Sequence, residues 1–192
     1  MFGTSGIRGP VGDAVTADLA LSIGRAVATD GAETVVLGRD ARESGGFLRD
    51  AVAAGCRECG ADVIDLGMVA TPTVARSIAR LDADAGIVVT ASHNPPEDNG
   101  LKLWTPSGQA FDTDRRNRIA EIVEDDAYTF AAWDESGTHR SDDRAIVAHT
   151  NAVVEAIETD APIDELSAVI DIGNGVGSVT AAALGELGVD VT

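Results

Sequence analysis

Apolar positions along the first half of the chain recur with periods that switch between helix and strand. Leu19, Ile23, Ala26 and Val27 fall on one face of a 3.6-residue period, which predicts a helix over residues 16–29 that stops at Gly31. The run TVVLG at 34–38 predicts a short buried strand, followed by the polar loop RDARES. Leu48, Ala51, Val52, Cys56 and Cys59 share a second helical face over 46–59, closed by Gly60. DVIDLG at 62–67 gives the next strand. Thr71 is the expected N-cap of a third helix, with Pro72 at its first position and Val74, Ile78 and Leu81 on its apolar face. AGIVVTA at 85–91 predicts a third buried strand. Strands alternating with helices through short connections predict the α/β class, a three-layer α/β/α domain with a mixed, mostly parallel sheet.

Beyond residue 91 the pattern changes. Asn99-Gly100 is a tight-turn signal, and LKLW at 101–104 alternates apolar and polar, predicting an extra antiparallel strand at the sheet edge. Ile119, Ile122 and Val123 mark a helix over 113–124, capped by Asp112 or Thr113. Residues 125–144 are acidic, lack a sustained apolar period and read as a linker closing a first domain, 1–144. A helix over 145–158 then leads to a strand, a Gly-rich turn, a helix and a strand. One βαβ unit is too little for a domain, so 145–192 reads as the truncated start of a second, similar one.

Composition alters the expected setting of this fold more than its class. Apolar residues make up 44% of the 192, enough for a sizeable core. Asp and Glu number 32 against 14 Lys and Arg, a net charge of −18. Such self-repulsion destabilises a compact state at low salt, whereas at roughly 1 M salt the Debye length falls to about 3 Å. The acidity, together with thirteen Arg and a single Lys, predicts a halophilic protein. It argues against nucleic acid or an anionic membrane as partner, because both need clustered basic residues. With no signal layout at the start and no apolar run near the ~20 residues of a membrane helix, a cytoplasmic location is expected. Cys56 and Cys59 form a C-x-x-C, but their shared helical face points to core packing rather than redox chemistry.

Three stretches carry candidate chemistry. FGTSGIRG at 2–9 sets Gly3, Gly6 and Gly9 around Thr4, Ser5 and Arg8, a composition suited to an anion, since glycines let backbone N–H groups approach and Arg offers a planar fork. TASHNPPEDNG places Ser92 and His93 just past a strand's C-terminal end, where open α/β sheets build their sites. A serine hydrolase fails for want of a G-x-S-x-G elbow, and zinc fails because His93, His139 and His149 are scattered. That leaves Ser92 as carrier of a transferable group with His93, Asn94 and Lys102 around it, or else an ordinary polar turn. DIGNGVGS at 171–178 is a weak dinucleotide fingerprint, with Ser178 in place of the third glycine, and reads better as a tight βα turn.

FGTSGIRG at 2–9, TASHNP at 90–95 and NGLKLW at 99–104, with GRDAR at 38–42 and TPT at 71–73 in the same order, together resemble the α-D-phosphohexomutases, the phosphoglucomutase and phosphomannomutase family. The resemblance implies the family's first domain plus the opening of its second. It further implies that Ser92 is phosphorylated, passes its phosphoryl to a hexose monophosphate, and recovers the other phosphate from a bisphosphate intermediate, so that phosphate moves between C1 and C6. Implied catalytic residues are Ser92, His93, Lys102 and Arg8; implied substrate- and phosphate-binding residues are Thr4, Ser5, Gly6, Arg8 and Asn94. The implied cofactors are Mg²⁺, bound through the phosphoryl group on Ser92, and glucose 1,6-bisphosphate or an equivalent hexose bisphosphate as activator. In the family, three aspartates of a second-domain loop complete the metal site, and Asp82-Ala83-Asp84 and Asp112-Thr113-Asp114 do not fit it. The expected partners are a hexose phosphate and the remaining domains, and the chain alone is expected to be inactive. Rival readings are a phosphoglucosamine mutase, a non-catalytic phosphosugar-binding fragment, and a dinucleotide module on 168–192.

Lys102 is the residue that this reading makes most specific. Leu101 and Leu103 should face the core, leaving Lys102 on the opposite side of its strand, and the Asn99-Gly100 turn should return it towards Ser92. There an ammonium can steady a phosphate or exchange a proton; an Arg keeps the charge but cannot give up its proton.

Overall fold

The computed structural model describes residues 3, 6–157 and 162–192. A six-stranded mixed sheet has the order β1-β5-β4-β2-β3-β6. It is built from β1 (Ile7–Pro10), β2 (Thr34–Arg39), β3 (Asp62–Met68), β4 (Ala85–Val89), β5 (Asp98–Trp104) and β6 (His139–Ser141). The strands β4, β2, β3 and β6 run parallel, while β5 is antiparallel to both β4 and β1. Helices α1 (Ala17–Thr29), α2 (Gly45–Glu58) and α4 (Thr113–Glu124) cover one face, around Ile23, Leu37, Leu48, Ile87, Leu101 and Ile119. Helices α3 (Thr71–Arg80) and α5 (Ala145–Glu155) cover the other, around Val36, Ile64, Val74, Ile78 and Val88. The result is the expected three-layer α/β/α fold. A parallel pair, β7 (Ser167–Ala168) and β8 (Asp190–Val191), flanks α6 (Ser178–Glu186). No helix among the described residues is long and apolar enough to cross a membrane.

Helices α1 and α4 begin where the sequence supplies acceptors. Thr16 Oγ1 accepts from the Leu19 N–H to cap α1, and Asp112 Oδ1 accepts from the Arg115 N–H to cap α4. Helices α1 and α2 touch through reciprocal glycines: a Cβ on Gly24 would lie 2.3 Å from the Val52 carbonyl oxygen, and one on Gly55 2.1 Å from that of Leu21. Cys56 is fully buried, and burial followed by the neighbouring Cys59 pushes its thiol up to about 12. Cys59, half-buried at the C-terminal cap of α2, is also raised, chiefly by burial, so of the C-x-x-C pair only Cys56 packs in the core.

Four expectations are corrected. Asn99 and Gly100 do not turn the chain; they lie within β5, paired with Gly9 and Arg8 of β1. Buried Asn99 donates its side-chain amide to Ser44 Oγ, and a Cβ on Gly100 would meet the Ile7 carbonyl oxygen at 2.1 Å, so both residues are required by packing rather than by a turn. Strand β5 is therefore internal, and the edge is β1, formed by the N-terminal segment that reads as a phosphate loop. Thr71 is not the cap of α3: Ala70 occupies that position without a side-chain bond. Finally, the acidic 125–144 segment is no free linker. Its β6 pairs with β3, and buried Asp142 accepts from Arg80 and Arg144 while its backbone N–H donates to the Asp65 carbonyl.

Candidate active site

The site is built at the C-terminal ends of β2 and β4. The segment leaving β4 places Ser92 in the left-handed region, at φ 61°, a conformation that costs a non-glycine residue on the order of 1 kcal/mol. Side chains from two strands hold it there. Buried Thr90 Oγ1 accepts from the Ser92 N–H (2.9 Å) and donates to Asp40 Oδ2 (2.6 Å). Asp40 follows β2, and its backbone N–H donates to the Val89 carbonyl (3.0 Å), which ties the two strand ends together. Asp40 also pairs with Arg42 (3.2 Å). Ser92 itself is solvent-exposed, and Oγ lies 3.5 Å from His93 Nδ1, a long contact for a hydrogen bond. Asn94 directs its amide to Asp98 Oδ2 (2.9 Å), closing the loop on itself.

Lys102 sits opposite Val88 on the sheet face away from Leu101 and Leu103, both of which are buried. Its strand-mate Gly100 is paired with Arg8, so the two cations come from adjacent strands over a position that has no side chain. Burial first, and Arg8 second, push the Lys102 ammonium below the ordinary lysine range, while Asp40 opposes them. Gly6 lies against the same strand, since a Cβ there would stand 2.4 Å from the Leu101 carbonyl oxygen. Thr4 and Ser5 lie outside the described residues.

A cavity of about 370 Å³ opens beside Ser92, bounded by Asp40, Arg42 and Asn94 on one side and by Gly175 and Val176 on the other. The Gly-rich turn before α6 thus forms a wall of this pocket, with Asn174 at φ 62° and the Gly173 N–H donating to Asp171 Oδ1 (2.9 Å). Nothing in the sequence pattern signals that placement, because the turn reads as a local βα connection. Arg42, Asp40 and Thr90 are likewise missed as site residues, since the bonds that join the end of β2 to the Ser92 loop, Arg42 to Ser92 and Thr90 to Asp40, each span 50 residues.

A sequence model of the family described as "Phosphoglucomutase/phosphomannomutase, alpha/beta/alpha domain I" matches residues 1–129. The chain belongs to this family. A protein of Methanopyrus kandleri named "Probable phosphoglucosamine mutase" is 42% identical over 192 residues, covering 99% of this chain and 42% of that protein. One of the same name from Methanococcoides burtonii is 40% identical over 192 residues, covering 100% of this chain and 43% of that protein. The crystal structure of a phosphoglucomutase/phosphomannomutase family protein from Burkholderia thailandensis superposes with a TM-score of 0.82 at 32% identity, covering 100% of this chain and 44% of that one. The phosphoglucomutase parafusin of Paramecium, with a TM-score of 0.71, 18% identity and coverage of 98% and 41%, shares the fold. The chain therefore spans less than half the length of the relatives it matches.

Proposed function

We propose that this chain is the phosphoserine-bearing portion of a phosphohexomutase, a Mg²⁺-dependent intramolecular phosphotransferase in which Ser92 carries the phosphoryl group between C1 and C6 of a hexose. The observation that carries this reading is the hydroxyl of Ser92, presented from a left-handed, doubly braced loop at the end of β4. The neighbouring strand β5 meanwhile holds Lys102 next to Arg8. Two cations that raise each other's energy form a pair that an incoming dianion relieves. In the forward step a sugar hydroxyl attacks phosphorus and the P–Oγ bond of phosphoserine breaks. Lys102, when neutral, accepts the hydroxyl proton as Ser92 Oγ leaves; in the return step Ser92 Oγ attacks the other phosphate, the bond from that phosphorus to the sugar oxygen breaks, and the released sugar oxygen takes the proton back from Lys102. His93 and Arg8 are proposed as supporting groups, and Gly6 and Asn94 as parts of the frame around the phosphate.

The metal has no complete site among the described residues. They contain no group of three His, Cys, Asp or Glu able to hold an ion, and Asp40, which braces the Ser92 loop, is engaged by Thr90 and Arg42. Phosphoserine would supply one ligand. Mg²⁺ bound with ligands from further domains would neutralise phosphate charge.

The relatives' names favour an amino-sugar phosphate over mannose or glucose phosphate as substrate. Incubation with a hexose 1,6-bisphosphate, with the remaining domains supplied, should place phosphate on Ser92, mapped by mass spectrometry, and Ser92→Ala should abolish loading while folding normally. Absence of label on Ser92, or its appearance on Ser5, would overturn the assignment. Comparing glucosamine, glucose and mannose bisphosphates in the same assay decides the sugar.

A further inference from the structure

Arg42 lines the cavity beside Ser92, where a guanidinium would by default be read as a phosphate ligand. Its bonds say otherwise. A guanidinium has five N–H donors. Here Nε donates to Asp40 Oδ2 (3.2 Å), Nη1 to the carbonyls of Pro95 (2.6 Å) and Asp98 (2.9 Å), and Nη2 to those of Ser92 (3.1 Å) and Asn94 (2.7 Å). The Arg42 backbone N–H donates to Asp40 Oδ1 (3.0 Å), which fixes the side chain's origin. Every donor is committed, and four of the five hold the loop that carries Ser92.

We infer that Arg42 is a positioning residue for Ser92, a pin through the loop rather than a phosphate ligand; the inference rests on the reading of Ser92 as phosphoryl carrier. Four carbonyl oxygens between residues 92 and 98 converge on one side chain. Their dipoles repel one another unless a cation sits between them. Arg42 thereby secures the peptide on the C-terminal side of Ser92, while Thr90 secures the one on its N-terminal side. The hydroxyl is left with rotation about its own side-chain bond, and the left-handed backbone that aims it cannot relax. Lysine could not substitute, having three donors on a compact charge instead of a planar fork.

Two measurements separate this inference from the reading it rests on. Amide hydrogen exchange on the 192-residue chain should show the 93–98 segment of Arg42→Ala opening at least about tenfold faster, with α1 and α4 unchanged. With the remaining domains supplied, the saturated rate of Ser92 loading by a hexose bisphosphate should fall roughly 10²-fold, the scale of a 1 Å misplacement. The half-saturating concentration should hold, Arg42→Lys should recover little, and millimolar guanidinium should partly restore Arg42→Ala. A raised half-saturating concentration with the saturated rate preserved would make Arg42 a phosphate ligand and overturn the inference, as would wild-type exchange in the 93–98 segment. If the wild-type protein never loads Ser92, the mutase reading falls, and the exchange data alone decide whether Arg42 pins the loop.

Discussion

Replacing Lys102 by arginine should cut turnover by roughly 10²-fold or more, about as much as replacing it by methionine. Lys102 lies opposite Val88, two residues short of Thr90, on a face where burial and Arg8 both disfavour its charge. A lysine so placed releases its proton at lower pH than a free one, and each unit of depression corresponds to about 1.4 kcal/mol of differential interaction. A guanidinium stays protonated throughout and sets a second planar cation against Arg8. If Lys102 only supplied charge, arginine would preserve most of the rate and methionine would not. If it exchanges a proton with the sugar oxygen, both variants lose the contribution of general acid–base catalysis, about 10²–10⁴-fold. Quenched-flow single turnovers between phosphorylated Ser92 and hexose phosphate, with the remaining domains supplied, separate the cases once binding is measured independently. Near-wild-type turnover in Lys102→Arg would refute the proton-exchange role and leave an electrostatic one.

Two further outcomes concern stability. Gly55→Ala should destabilise, since its Cβ would stand 2.1 Å from the Leu21 carbonyl oxygen. Overpacking costs about 1–3 kcal/mol, outweighing the usual gain of about 1 kcal/mol for Gly→Ala in a helix. Gly46→Ala, in the same helix with nothing within 4 Å, should be neutral or mildly stabilising, and urea unfolding of the pair checks the contrast. With a net charge of −18, the thermal midpoint should rise from low to multimolar KCl; a midpoint indifferent to salt would refute a halophilic character.

The parts of the fold legible in the sequence are those where side chains meet the core. Strands β2, β3 and β4 and helices α1 to α3 announce themselves because each buries an apolar run or stripe. Edge strands need no such signal. In β1 only Ile7 is buried, and β6 is His-Arg-Ser, exposed throughout, so backbone pairing rather than an apolar run recruits both. The Asn99-Gly100 signal misleads for a related reason. Its usual meaning is local, and here the pairing of β1 overrides it. At the site, Ser92 and Lys102 are legible through motif and alternation. Arg42 is not, because its partners are backbone carbonyls, and carbonyls carry no residue identity to recognise.

The single lysine becomes intelligible beside what the arginines do. Arg42 uses all five donors on the Ser92 loop and Asp40. Arg115 and Arg118 both grip Asp30, and Arg80 and Arg144 both grip Asp142. Arg57 donates to the Gly137 carbonyl (2.8 Å), and Arg116 to that of Gly3 (2.7 Å). These are fastening roles, and a planar, permanently charged fork fills them better than an ammonium. In so acidic a chain, substituting Arg for Lys at such positions costs nothing in chemistry. In the proposed reaction it would cost turnover at one place, on β5 beside Arg8, where the role we propose for Lys102 asks for a cation when phosphate arrives that can also surrender a proton. Fastening and proton transfer thus make opposite demands on a basic residue, and under the proposed mechanism position 102 is where the second demand prevails.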